Sequence, residues 1–196
     1  RYAIIFNGEI FNYQEIKKEL EQKGVQFKTQ SDTEVLLYAY IQFGETFLHK
    51  LNGFFAFAIF DKLEDSLFIA CDRFGIKPLY YYSDEDYFFF GSELKTITQF
   101  PVKKEINWSS VAAYFQLNYI PGKNSIFKNI QRLEPGHQIL IYNSEILIKQ
   151  WYAIPYNALK AEQNQLSYDE QQKKLVELMD DSVRLRLISD VPLGAF

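Results

Sequence analysis

Asn7 and Gly8 set a side-chain carboxamide beside a sterically open backbone N–H. These are the two donor types that stabilise an oxyanion forming on a carbonyl carbon. Asn-Gly is equally a turn dipeptide, because both residues tolerate positive φ, and by residue type alone the oxyanion and turn readings both stand. Glu9 and Asp32 form a candidate carboxylate pair for acid–base work, but among 25 acidic residues spacing alone does not separate them from solvated groups. Asp32 also falls at an expected helix start, where its carboxylate can serve the positive helix end or offer itself to a substrate ammonium. His49 and His137 lie in different elements, without a neighbouring nucleophile or a spaced ligand set, so a Ser-His-Asp or zinc reading lacks support. Cys71 follows Ala70 in an apolar run, where a thiol acts as a small hydrophobe with a high pKa. In residues 72–79 (DRFGIKPL), Gly and Pro set a connection between strands that Asp72 and Arg73 are placed to brace.

The elements that must position these groups follow from periodicity. Residues 2–6 read as a buried strand, bent at Asn7-Gly8. A surface helix follows over 13–23, with Ile16 and Leu20 inward, Asn12 as cap and Gly24 as stop. Ser31 to Glu34 spells a capping box for a second, half-buried helix that ends at Gly44. Residues 54–61, 66–72, 79–83 and 87–91 then form four aromatic strands read as an antiparallel meander, apolar at nearly every position and therefore covered on both faces. A helix at 108–117, a Pro/Gly/Asn-rich loop at 121–129 and a hairpin over 138–152 complete a layered α+β unit. A polar stretch, a capping box at Ser167 to Glu170 and a helical face of Leu175, Leu178, Met179, Ser182 and Val183 announce a second domain. Residues 190–196 look like the start of a strand.

Composition excludes several classes. With 47% hydrophobic and 23% charged residues the 196-residue chain is globular, not disordered, collagenous or coiled-coil. One cysteine allows no internal disulfide, which points to a reducing, cytoplasmic setting. A net charge of -4 without a basic stripe argues against nucleic acid. The apolar run FFAFAIF (54–60) is too short for a bilayer, and no leader is apparent, so no membrane association is expected. Both ends look cut, since Arg1 runs directly into an apolar strand and Phe196 closes an apolar stretch without a cap.

FNGEIFNY (6–13), SDTEVLLYAY (31–40), LNGFFAFAIFD (51–61), DRFGIKPLYYY (72–82) and FGSELK (90–95) occur in the order found in the glutaminase domain of glutamine-dependent asparagine synthetases, which the chain resembles. The likeness continues through YIPGKNSIFKNIQRLEPGHQI (119–139) to SDVPLGAF (189–196). It implies an α+β, Ntn-hydrolase-like four-layer α/β/β/α sandwich with antiparallel sheets, truncated at its N-terminus, plus the first helix of an α/β synthetase domain. The implied domains are a class II glutamine amidotransferase domain over 1–155, a linker over 156–165, and the start of an ATP-pyrophosphatase-type synthetase domain over 166–196.

The resemblance implies that Asn7 and Gly8 form the oxyanion hole, that Glu9 lies beside the substrate, and that Asp32 holds the α-ammonium of glutamine. The family nucleophile, an N-terminal cysteine, and the arginine that grips the α-carboxylate match no residue of this chain. Cys71 stands where family members usually carry arginine before the Asp matching Asp72, and a thiol does not replace a guanidinium fork. ATP and magnesium are implied cofactors of the full-length parent, with none bound by these residues, because the Ser-Gly-Gly-x-Asp-Ser loop would follow Phe196. Implied partners are glutamine, with aspartate and ATP acting through the remaining domain, and a homodimer is one assembly left open. The fragment alone is expected to be inactive. Two rivals remain: a related amidotransferase with a polysaccharide or peptide acceptor, and a non-catalytic regulatory or binding module of the same fold.

Overall fold

In the computed structural model, which describes residues 1–157, 165–188 and 194, the first strand is longer than its apolar run. β1 (Tyr2–Ile10) continues through Asn7 and Gly8 and pairs antiparallel with β2 (Gly53–Asp61), in register from Tyr2 opposite Asp61 to Ile10 opposite Gly53. The expected bend at Asn7-Gly8 is therefore absent. A hairpin turn needs its partner strand immediately downstream, and here the partner lies some 45 residues on, beyond two helices. Gly8 instead serves close approach: its φ is 155°, and a Cβ there would meet the Phe54 carbonyl oxygen at 2.1 Å.

β2 continues into β3 (Ser66–Cys71), and β7 (His137–Tyr142) and β8 (Glu145–Gln150) complete a five-stranded antiparallel sheet in the order β1-β2-β3-β7-β8. β4 (Tyr80–Ser83), β5 (Phe88–Gly91) and β6 (Ile130–Arg132) form a second sheet in the order β5-β4-β6. The expected four-strand meander is thus two hairpins in different sheets. The three-residue β6 was too short to leave a periodic signal.

Alternation along β2 explains why this strand is apolar at nearly every position. Phe55, Phe57 and Ile59 join Phe68 beneath α1 (Tyr13–Gln22), α2 (Asp32–Phe43) and a 3-10 segment (Gly44–Lys50), where Leu20, Leu36 and Phe47 are buried. The small Ala56 and Ala58 face the other way, with Ile69, Cys71 and Ile139, and let the second sheet approach through Leu79, Tyr81 and Leu133. Outside that sheet, Ile97 of α3 (Leu94–Ile97) packs with Tyr82 and Ile130. The order is helix, sheet, sheet, helix: the Ntn-hydrolase-like four-layer α+β sandwich, with a thin last layer.

Local signals were met unevenly. Ser31 caps α2 by accepting the Thr33 N–H, but Glu34 grips the backbone of Lys28 and Thr29 instead of closing a box on Ser31. Asn12 precedes α1 yet directs its carboxamide to the Lys50 carbonyl and the Asn52 N–H. α4 (Trp108–Leu117) rides outside with only Ser110 buried. α5 (Tyr168–Arg186) has its Ser167–Glu170 capping box, and none of its residues is buried. Most of the expected linker (158–164) and of the C-terminal strand start (189–193, 195–196) lies outside the described residues.

Candidate active site

β1 is an edge strand, and the hydrogen bonding of its neighbour fixes which of its backbone groups face outward. The Phe55 N–H is donated to Asp72 Oδ2 at 3.1 Å, and the Phe55 carbonyl accepts the Asp72 N–H at 2.8 Å. Both polar groups of Phe55 are therefore spent on the far side of β2. Gly8, directly opposite, occupies a non-hydrogen-bonded pair and turns its own N–H and C=O to the open edge. Ile10, two residues on, has the same orientation, and its N–H is donated outward to Asp32 Oδ2 at 3.1 Å.

That bond seats the Asp32 carboxylate between the end of β1 and the first turn of α2. Its other oxygen accepts from Thr33 Oγ1 at 3.4 Å. Glu9 and Asp32 share a cavity of about 430 Å³ with Tyr13, Gln30, Ser31 and Ile188. The Glu9 carboxylate has no hydrogen bond or ion pair among the described residues. Two carboxylates, with no Lys or Arg in the lining among the described residues, make this cavity attractive to a ligand ammonium. Asn7 opens instead onto an adjoining, mostly apolar cleft of about 440 Å³ between the two sheets, and its Nδ2 donates to Ser92 Oγ at 3.0 Å. Gly8 lies between Asn7 and Glu9 on β1, so three of the four sequence-derived candidates follow one another on the free edge, and Asp32 of α2 is tied to it through the Ile10 N–H.

Cys71 is elsewhere. Its thiol is buried between the sheets, donates to the Glu134 carbonyl at 2.9 Å, and is pushed up to a pKa of about 11 by burial, which removes it as a nucleophile. Arg73 is held by the segment that precedes β2. It donates to the Leu51 and His49 carbonyls and lies 5.2 Å from both the Trp151 and Tyr152 rings, and burial lowers its pKa. The bracing expected of the 72–79 connection is supplied by Asp72, whose buried carboxylate accepts the N–H groups of Phe55, Phe74, Ile76 and Lys77.

His49 sets its ring edge-on to Trp151, and His137 Nδ1 lies 2.9 Å from the Pro135 carbonyl oxygen. Neither lines the acidic cavity. Sequence reasoning missed Ser92, although it stands in the quoted FGSELK segment, because a contact across 85 residues and two sheets follows no spacing rule. It also missed the reach of α5, whose Arg186 lies 4.6 Å from the Phe11 ring and 5.0 Å from the Phe54 ring while Ile188 joins the cavity wall. Among the described residues no three His, Cys, Asp or Glu side chains gather as metal ligands, and no helix is long and apolar enough to cross a membrane.

The family described as the glutamine amidotransferase domain matches residues 1–152. Asparagine synthetase [glutamine-hydrolyzing] 1 of Bacillus subtilis is 38% identical over 196 residues, all of this chain and 30% of that protein. Asparagine synthetase [glutamine-hydrolyzing] 3 of the same organism is 36% identical over 198 residues, all of this chain and 31% of that protein. Amidase chry2 of Gibberella zeae is 28% identical over 98% of this chain and 28% of its own length. The chain thus spans about 30% of the length of the asparagine synthetases it matches. Among solved structures, glutamine phosphoribosylpyrophosphate amidotransferase from B. subtilis, complexed with ADP and GMP, superposes with a TM-score of 0.53 at 23% identity, over 80% of this chain and 30% of that one, a likeness of fold. With the family matched across the sheets, the free edge and the acidic cavity, the chain belongs to the glutamine amidotransferase domain family.

Proposed function

We propose that residues 1–155 form the glutamine-hydrolysing domain of a longer asparagine synthetase, followed by a linker and, from 166, the start of its synthetase domain. The observation that carries this reading is the outward N–H of Gly8 beside the Asn7 carboxamide, one step along β1 from the Asp32 cavity. A glutamine held by its α-ammonium at Asp32, with Glu9 alongside, extends its carboxamide along this edge. A thiolate attacks the carboxamide carbon, the π electrons move to oxygen, and Gly8 N–H with Asn7 Nδ2 receives the charge. The proton given up by the thiol passes to the nitrogen, collapse breaks the C–N bond and releases ammonia, and water hydrolyses the thioester to glutamate and free thiol. With Cys71 buried and its pKa near 11, the thiol comes from outside residues 1–196.

Ammonia then serves the ATP-dependent conversion of aspartate to asparagine. On this reading ATP and magnesium act in the remainder of the longer protein, and no step here runs through them. A cytoplasmic setting suits a lone buried thiol. A second reading is the same glutaminase feeding an acceptor other than aspartate; the likeness to a protein named an amidase supports the amide cleavage that both readings share.

The test is to assay the full-length protein with glutamine, aspartate and ATP. Glutamate together with asparagine supports the first reading, and glutamate without asparagine selects the second. Absence of glutamate overturns both and leaves a non-catalytic module. Residues 1–196 alone are expected to release no glutamate above a blank.

A further inference from the structure

Asn7 is exposed on an edge strand, and among the described residues its carboxamide has one hydrogen-bond partner, Ser92. A primary carboxamide carries two N–H donors, so fixing one on Ser92 Oγ holds the side-chain torsion and leaves the other for a ligand. Ser92 is placed by the strand that precedes it. It follows β5, whose Gly91 pairs with Tyr80, and a Cβ on Gly91 would meet Thr96 at 3.3 Å. The bond spans the inter-sheet cleft that both side chains line and ties the free edge of one sheet to the end of the other. A donor aimed before charge develops stabilises that charge without reorganising at the moment of reaction.

We propose that Ser92 is a positioning residue that aims the Asn7 carboxamide at the oxyanion, a role that rests on the glutamine-hydrolysis reading above. Substrate binding at Asp32 does not involve Ser92, so its loss falls on the chemical step. In the full-length protein, Ser92→Ala is expected to lower kcat for glutamine hydrolysis by roughly tenfold with KM within about twofold, and Ser92→Thr to restore most of the loss.

A second readout is independent of activity. In protein labelled with ¹⁵N-asparagine, the Asn7 side-chain amide resonances, assigned by their disappearance in Asn7→Asp, shift in Ser92→Ala and stay near wild type in Ser92→Thr. An unchanged kcat, or unchanged amide resonances, overturns the role of Ser92 while the glutamine reading stands. A wild-type protein that releases no glutamate overturns that reading and the role together, and the amide shift then still reports the contact.

Discussion

On the proposed reading, Gly8 and its neighbours carry the chemistry and divide the work between binding and catalysis. Asn7→Ala in the full-length protein removes a donor to the developing oxyanion and is expected to lower kcat for glutamine hydrolysis by roughly 10²- to 10³-fold with little change in KM. Asp32→Asn keeps an oxygen for the Ile10 N–H but loses the charge, so KM for glutamine is expected to rise about tenfold or more while kcat changes less. Steady-state kinetics on the two variants separates the roles. Cys71 acts only on stability. Burial raises its folded pKa to about 11 from the ordinary thiol value near 9, so the native state favours the neutral thiol. That contribution is complete below the unfolded pKa and is lost as pH rises from about 9 toward 11. Urea denaturation across this range should show wild type losing about 2–3 kcal/mol more than Cys71→Ala over the same interval.

At the scale of elements, the connection between β3 and β4 matters most, because it carries the chain from one sheet to the other. Gly75, with φ of 63°, permits the reversal, and Asp72 holds it by gathering four N–H groups while its own backbone bonds to Phe55, Gly75 and Gly136. Removing the carboxylate strands one buried donor, the Phe55 N–H, and three part-buried ones at once. Asp72→Ala is therefore expected to destabilise the fold by about 3–5 kcal/mol in equilibrium denaturation, well above the typical single substitution. The same tie reaches the site, since Asp72 commits the polar groups of Phe55 to the far side of β2 and so leaves Gly8 facing outward.

For the whole molecule, the four layers are closed by contacts within the first 157 residues, while α5 buries none of its own side chains. Among the described residues, its ring contacts to the sandwich are those of Arg186 with Phe11 and Phe54. A chain ending at residue 157 is accordingly expected to melt within about 3 °C of residues 1–196 by calorimetry. A larger drop would assign α5 a structural part in the sandwich. Leu175, Leu178, Met179 and Val183 leave α5 an open apolar face, as the proposed start of a synthetase domain requires.

The sequence by itself determined the layered α+β class, most helices and strands to within a residue or two, the inert character of Cys71 and the bracing role of Asp72. Each of these follows from periodicity, turn chemistry or residue type acting over a few positions. Only the tertiary structure decided that Asn7-Gly8 lies inside a strand, that the four aromatic strands divide between two sheets, that Glu34 leaves its capping box for a loop, and that Ser92 meets Asn7. Those outcomes depend on which strand pairs with which, and hydrogen-bond pairing between segments tens of residues apart overrides local preference without leaving a mark in local spacing.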